Sequence, residues 1–190
     1  SSSNLDSSYI DSNYSKGKYR ISTAEVYKNS YSRPNNYLTL NKGRNDSIKE
    51  DFGVITSKGI IGIIDNTSSG YSTVLSILNK KSRINAKLKS SNHIGSLIWN
   101  GKSPQYTQLV DVSKFAPVKE GDTIVTGGQS AIFPKGINIG TIENFIIDAS
   151  GDTYTIQVKL FNDMTSVGTV YILENLDRTE IKTLEERTNE

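Results

Sequence analysis

The sequence is poor in the residues that build metal centres and nucleophilic active sites. Its 190 residues include no cysteine, one histidine, one tryptophan and four prolines. Without cysteine the chain can form no disulfide, thiolate nucleophile or thiolate zinc site, and one histidine cannot complete an ordinary zinc centre. Glycine-rich phosphate loops and the EF-hand spacing are also missing. We therefore expect neither a metal nor a cofactor.

Long apolar segments are also absent. A transmembrane helix needs about 20 consecutive apolar residues, whereas the longest comparable run, residues 59–64, has the length of one strand. We expect no transmembrane helix and no long coiled coil in this chain. The first residues lack both an initiator methionine and the apolar core of a signal peptide, as expected for a piece of a longer protein.

The charge of the chain gives no reason to expect nucleic acid as a partner. Lysine and arginine total 22 and aspartate and glutamate total 20, a formal net charge of +2. The distribution is uneven, because residues 79–110 contain six basic residues and no acid, whereas residues 174–190 contain six acids and three bases. Two interpretations remain open: ordinary solvated faces, or complementary patches that help copies of the protein or a partner associate.

The remaining pattern is that of an all-β protein. β-branched and aromatic residues recur in short runs, and turn residues interrupt them every 8 to 12 positions, a rhythm typical of sandwiches and barrels. The runs predicted as strands are 20–27, 37–40, 53–56, 60–64, 72–78, 83–89, 94–99, 107–112, 123–126, 139–148, 153–160 and 168–173. So many strands exceed one small barrel, and we predict two barrel-like β domains.

The predicted domains follow changes in composition. Residues 1–18 are rich in Ser, Asn and Asp and are expected to form a flexible lead-in. The first β domain is placed at 19–82 and the second at 83–175, with exchange of strands between the two left open. Residues 176–190 are expected to form an acidic tail, partly ordered, or a short amphipathic helix that Asp177 or Thr179 could cap.

Several glycines are expected to shape turns. Gly121 and Asp122 open the strand at 123–126, and Gly128 lies just after it. Pro134 forces the preceding residue into an extended conformation, and Gly136 can adopt the positive φ of a tight turn. Gly140, inside a predicted strand, indicates a bulge or a close approach of two backbones.

Catalytic residues are not expected. The single histidine, His93, and Ser130 invite a serine-hydrolase interpretation, but Ser130 lacks the Gly-Asp-Ser-Gly setting that shapes an oxyanion hole. Glu143, Asp148 and Asp163 could supply a carboxylate pair, although nothing in the sequence pairs them, and turn or surface charge explains them equally well.

Two blocks of sequence resemble the MreC family of rod shape-determining proteins. The first is Leu40-Asn41-Lys42-Gly43 followed by Asp51-Phe52-Gly53 and a stretch that ends at Gly62. The second runs from Gly121-Asp122 through Gly128 to Phe133-Pro134-Lys135-Gly136 and Gly140. Trp99-Asn100-Gly101 and residues 170–173 also fit. The resemblance covers residues 19–175, and Gly127-Gly128 stands where the family more often has a Ser-Gly pair.

The resemblance implies a non-enzymatic scaffold of the bacterial cell-wall elongation machinery. Members of this family carry an N-terminal transmembrane anchor, a coiled coil and two barrel-like domains on the periplasmic side of the inner membrane. The partners it implies are further copies of the protein, a class B penicillin-binding transpeptidase, and the membrane proteins MreD and RodA. The membrane would be contacted only through an anchor that lies outside this chain.

The candidate partner-binding residues lie in two loops. They are Ile132, Phe133 and Ile137 around the Phe-Pro sequence, and Tyr106 after Pro104. If Phe133 contacts a partner, Phe133→Ala should weaken transpeptidase binding without unfolding the protein. Two alternatives remain open: a trypsin-like hydrolase, degenerate or active, and a peptidoglycan-binding β module that uses some of the ten tyrosines.

Overall fold

The structure, a computed structural model, describes residues 18–189 and consists mainly of β-strands. The expected flexible lead-in, except for Lys18, and Glu190 lie outside the described residues. The strands are β1 (Tyr19–Asn29), β2 (Asn35–Leu40), β3 (Gly53–Thr56), β4 (Gly59–Thr67), β5 (Ser72–Asn79), β6 (Ile84–Leu88), β7 (Ile94–Ile98), β8 (Tyr106–Ser113), β9 (Thr123–Thr126), β10 (Asn138–Ile147), β11 (Thr153–Leu160) and β12 (Thr169–Asn175). The all-β prediction is therefore confirmed.

The strands form two closed, antiparallel barrels of six strands each. The first has the order β1-β12-β3-β4-β5-β2, and the second has the order β10-β11-β8-β7-β6-β9. Side chains alternate between the two faces of each strand, so one face of the sheet is apolar and is buried inside the barrel. In β2, for example, Leu38 and Leu40 are fully buried while Tyr37 and Thr39 face outward. Closing each sheet on itself pairs every strand on both sides and leaves no open edge.

The division between the domains differs from the expected one in a single strand. We expected β12 in the second domain, within residues 83–175, but β12 pairs with β1 and β3 and completes the first barrel. The chain thus builds five strands of the first barrel, then the whole second barrel, and then returns. This is an instance of the strand exchange that was left open above, because strand pairing over such a distance is not encoded in local sequence.

The C-terminal residues form a helix rather than a partly ordered tail. Helix α1 (Arg178–Thr188) has no buried residue, and Asp177 occupies its N-cap position without a capping side-chain hydrogen bond. Arg178 forms an ion pair with Asp51 next to β3. Within residues 18–189 no helix has the length and apolar composition needed to cross a bilayer.

Candidate partner-binding surfaces

Phe133 lies at the contact between the two barrels and not on the surface. Its side chain is 2% exposed, and a Cβ atom added to Gly53 in β3 would come within 2.6 Å of Cε1 of its ring. Ile137, in the same loop, is 3% exposed. Neither side chain can contact a partner in this conformation, so we correct the assignment of both to a partner-binding surface: each packs in the core.

Hydrogen bonds from β9 hold the loop that carries Phe133. The Thr126 hydroxyl donates to the carbonyl oxygen of Pro134 over 2.6 Å and accepts from the amide of Ile137 over 2.9 Å. The backbone of Thr126 also accepts from the amide of Gly136, whose φ of 95° favours glycine. The turn residues recognised in the sequence therefore serve to present Phe133 to the first barrel.

A second contact between the barrels lies beside the first. The side-chain amide of Asn162, which follows β11, donates to the carbonyl oxygens of Gly59 and Ile60 at 3.0 and 3.2 Å. Its carbonyl oxygen accepts from the hydroxyl of Thr56 over 2.6 Å. Gly59 also lies so close to the backbone of Asn138 that no Cβ would fit. Together with Phe133, these contacts join the two barrel interiors into one buried cluster.

A cleft of about 680 Å³ lies between the barrels, beside Phe133, and its charged lining is mainly basic. Lys18, Lys87 and Lys135 line it against one acid, Asp177. The Lys87 ammonium donates to the carbonyl oxygen of Ser91 over 2.9 Å. Burial, and secondarily the positive charge of Lys135, lower the pKa of Lys87. Such a lining favours an anionic group.

Tyr19 also lines this cleft, and its hydroxyl is not a ready proton donor or acceptor. Burial, and then the negative charge of Asp177, raise the pKa of Tyr19 to about 12. A phenol with that pKa stays protonated at neutral pH and can act only through hydrogen bonds. The phenol of Tyr19 therefore adds a hydrogen-bonding group to the positive charge of the cleft.

The two other partner-binding candidates are partly exposed to solvent. Tyr106, the first residue of β8, and Ile132 are half-buried, and Ile132 packs against the core. Tyr106 begins β8, whereas Ile132 lies in the loop between β9 and β10. Both remain predictions.

A group of exposed apolar side chains lies at one end of the second barrel, where the sequence analysis did not place a site. We call it the hairpin patch, formed by Phe115, Ile146 and Ile147. Register places them at the same end of the sheet: Ile147 pairs with Tyr154, which pairs with Val112, three residues before Phe115. Ile146 and Ile147 lie on opposite faces of β10. Phe115 is 80% exposed. The available signal was the run of apolar residues that continues along β10 to its end, on both faces, where alternation predicts polar residues.

The residues weighed for catalysis take part in local turns. Nδ1 of His93 lies 2.9 Å from Oγ of Ser91, two residues away, and not next to Ser130. The Ser130 hydroxyl accepts hydrogen bonds from the amides of Ile132 and Phe133. Among the described residues this arrangement contains no histidine placed to activate Ser130.

The carboxylates considered for catalysis also form hydrogen bonds within local turns. Asp148 accepts hydrogen bonds from the hydroxyls of Ser150 and Thr153, and Asp163 accepts from the hydroxyl of Thr165. Within residues 18–189 no group of three or more histidine, aspartate or glutamate side chains is placed to hold a metal ion. The geometry of these side chains is that of turn stabilisation.

Comparison with known proteins identifies the family. A sequence model for the barrel core of the rod shape-determining protein MreC matches residues 26–174, from β1 to β12. The chain belongs to the MreC family. The match covers both barrels, and the resemblance seen in the two sequence blocks is confirmed.

Curated relatives agree with this assignment. The chain is 32% identical over 145 residues to the cell shape-determining protein MreC of Listeria monocytogenes, an alignment that covers 74% of this chain and 48% of the relative. The chain thus spans about half the length of the curated relatives it matches.

Solved structures share the two-barrel architecture. MreC from Listeria monocytogenes superposes with a TM-score of 0.76 at 28% identity, covering 83% of this chain and 76% of that one. A periplasmic domain described as coming from the cell shape-determining filament MreC gives 0.70 at 20% identity, covering 83% and 96%. A complex between penicillin-binding protein PBP2 and MreC from Helicobacter pylori gives 0.62 at 16%, covering 82% and 99%. The last two show the fold alone.

Proposed function

We propose that this chain is the barrel region of a non-enzymatic scaffold that maintains cell shape by binding a class B penicillin-binding transpeptidase. The observation that carries the proposal is the family match over residues 26–174, which includes both barrels. The complex of a Helicobacter pylori MreC with penicillin-binding protein PBP2 supports a partner of this class. The local turn roles of Ser130 and His93 support a function in binding rather than catalysis.

The full-length protein is proposed to act on the periplasmic side of the inner membrane, anchored by an N-terminal helix. Self-association belongs to the same proposal and is supported by the filament description of one MreC domain of the same fold. MreD and RodA are proposed as further partners on the strength of the family alone.

The hairpin patch is the surface we propose for the transpeptidase. Large apolar side chains that stay exposed together mark interaction sites more often than scattered ones do. Phe115 and Ile147 can enter a partner's pocket with little loss of local stability, because neither is packed in the core. The Lys114 ammonium, 5.4 Å from the centre of the Phe115 ring, adds a polar rim.

The proposal is tested with the purified transpeptidase ectodomain and this chain by biolayer interferometry. The double variant Phe115→Ala, Ile147→Ala should weaken binding by about tenfold or more, as expected for two residues central to an interface. Tyr27→Ala, on the first barrel, is the matched control and should bind like the unchanged chain. An unchanged affinity of the double variant would refute the patch, and no binding by the unchanged chain would refute the proposed function.

A further inference from the structure

Four tyrosines lie on the outer face of the first barrel. We call this surface the tyrosine face, formed by Tyr27, Tyr31, Tyr37 and Tyr71. Tyr27 is 73% exposed and Tyr71 is 49% exposed, and their rings meet edge to face with centroids 5.8 Å apart. Large aromatic rings held in the open at fixed angles present flat apolar surfaces with a polar tip.

Two cavities lie side by side along this face. One of about 410 Å³ is lined by Tyr37, Tyr71 and polar side chains that include Thr39 and Thr73, with Asp65 as its one charged residue. The other, of about 420 Å³, is lined by Tyr31, Tyr37 and Thr39 and by other residues that include the bases Lys28 and Arg33. Tyr37 and Thr39 belong to both, so the two cavities form one extended groove across β2.

The polar groups that face this groove come from the outward side of two paired strands. Thr39 in β2 pairs with Thr73 in β5, and both residues are half-buried and lie beside the groove. A hydroxyl can both donate and accept a hydrogen bond. These side chains therefore offer polar contacts to a ligand that fills the groove.

The chemistry of the lining limits what that ligand can be. Hydroxyl and amide groups dominate the first cavity, so a ligand there must offer many neutral hydrogen-bonding groups. The tyrosine rings require a flat apolar face on the same molecule. A pyranose ring has both features, because its axial C–H groups form an apolar face and its hydroxyls form the rim. Two adjoining cavities accommodate more than one such ring.

We propose that the tyrosine face binds a glycan chain, with sugar rings on the tyrosines and sugar hydroxyls at Thr39 and Thr73. This site goes beyond the scaffold function and lies on a different barrel from the hairpin patch. It would let the same chain hold a transpeptidase and a polysaccharide at once. No covalent step is involved.

The test is titration of the protein with chitotetraose and cellotetraose, followed by isothermal calorimetry and by amide chemical shifts. We expect at least one of the two to bind and to shift amides in β1, β2 and β5. Tighter binding of chitotetraose would show that the acetamido groups contribute to recognition, whereas equal binding would assign recognition to ring faces and hydroxyls. Either result supports the proposal.

Amino-acid substitutions test whether the glycan binds at the tyrosine face. Tyr27→Ala with Tyr71→Ala should weaken glycan binding by about tenfold or more, because stacking surfaces are lost while the barrel interior is unchanged. Tyr71→Phe should keep most of the affinity, since the flat ring remains. Phe115→Ala, an exposed aromatic on the second barrel, is the matched control and should bind as the unchanged protein does. Thermal melts check that each variant is folded.

Three outcomes would overturn the glycan site. They are no binding of either sugar at millimolar concentration, binding that the tyrosine double variant leaves unchanged, and dissociation of an oligomer by that variant in sedimentation velocity, which would make the face a contact between copies. None of these outcomes depends on the transpeptidase, so this proposal and the scaffold function can fail separately.

Discussion

At the scale of single residues, the buried side chain of Phe133 packs at the contact between the barrels. Its ring fills the space left by the missing side chain of Gly53, and Ile137 from the same loop is buried beside the core. Removing a buried ring loses its transfer free energy and leaves a cavity that rigid barrels on both sides cannot close.

We predict that Phe133→Ala destabilises the protein rather than weakening partner binding directly. The free energy of unfolding should fall by about 3–5 kcal/mol, which for a chain of this size corresponds to a drop in Tm of roughly 6–20 °C. Urea and thermal unfolding followed by circular dichroism measure both quantities.

Phe115→Ala is the control for this prediction. Phe115 is exposed, so its removal should change the free energy of unfolding by about 0.5 kcal/mol or less. Gly53→Ala should destabilise as well, since the added methyl group would meet the Phe133 ring. Equal losses for Phe133→Ala and Phe115→Ala would contradict the packing described here.

The role of Phe133 shows what local sequence could and could not predict. The turn at Gly136, where φ is 95°, followed from the residue type alone. The burial of the ring did not, because the residue that makes room for it, Gly53, lies far earlier in the chain. The tyrosine face escaped prediction for the same reason, since only strand register brings Tyr27 and Tyr71 together.

At the scale of elements, the strands were predictable because their signals are local. Each predicted run overlaps an observed strand, and the turns fall where glycine, asparagine and aspartate cluster. The partners of the strands were not predictable to the same degree. Hairpin neighbours such as β10 and β11 follow from a short turn, whereas the pairing of β12 with β1 and β3 joins opposite ends of the chain.

The turn between β10 and β11 depends on an ionised carboxylate. Hydrogen bonds from the hydroxyls of Ser150 and Thr153 lower the pKa of Asp148 to about 2. The unfolded carboxyl has a pKa of about 3.9. Because the folded pKa is the lower one, this group stabilises the fold above about pH 4, and that contribution is lost as the pH falls to about 2.

We predict that Asp148→Asn makes the free energy of unfolding less sensitive to acid. The unchanged chain should lose more stability than the variant between about pH 4 and about pH 2, since only it must protonate this carboxyl. Urea unfolding at a series of pH values gives the slope of the free energy of unfolding against pH for the unchanged chain and for the variant. Parallel slopes would show that Asp148 is not held by the turn, and a direct titration of its carboxyl by NMR would then give an ordinary pKa.

At the scale of the whole molecule, the second barrel is inserted into the first. Strands β6 to β11 are continuous in sequence and close on themselves, whereas the first barrel needs β12 from the far side of that insertion. Until β12 is in place, β1 and β3 have unpaired edges. Unpaired edges recruit other strands and favour aggregation.

We predict that a chain ending at residue 168 keeps the second barrel and loses the first. Hydrogen exchange read by mass spectrometry should show protection retained in residues 84–160 and lost in residues 19–79, because the sheet can no longer close.

A chain ending at residue 176 is the control for this truncation. It removes Asp177, α1 and the two residues that follow, and because α1 has no buried residue, both barrels should keep their protection. The loss of the Arg178–Asp51 ion pair should cost about 1 kcal/mol or less, as for other partly exposed pairs. Protection of β1 to β5 in the shorter chain would show that the first barrel does not depend on β12.

The pairing of β1 with β12 also decides how the protein responds to tension. The amide of Leu176 donates to the carbonyl oxygen of Lys18 over 2.9 Å, so the start of β1 and the end of β12 lie side by side. A pull between Lys18 and Leu176 would peel the ladder open one hydrogen bond at a time, starting beside Tyr19, and would leave the inserted barrel unstrained. If the chain is tethered at both ends, the pairing of β1 with β12 should therefore separate at low force, while the second barrel stays folded.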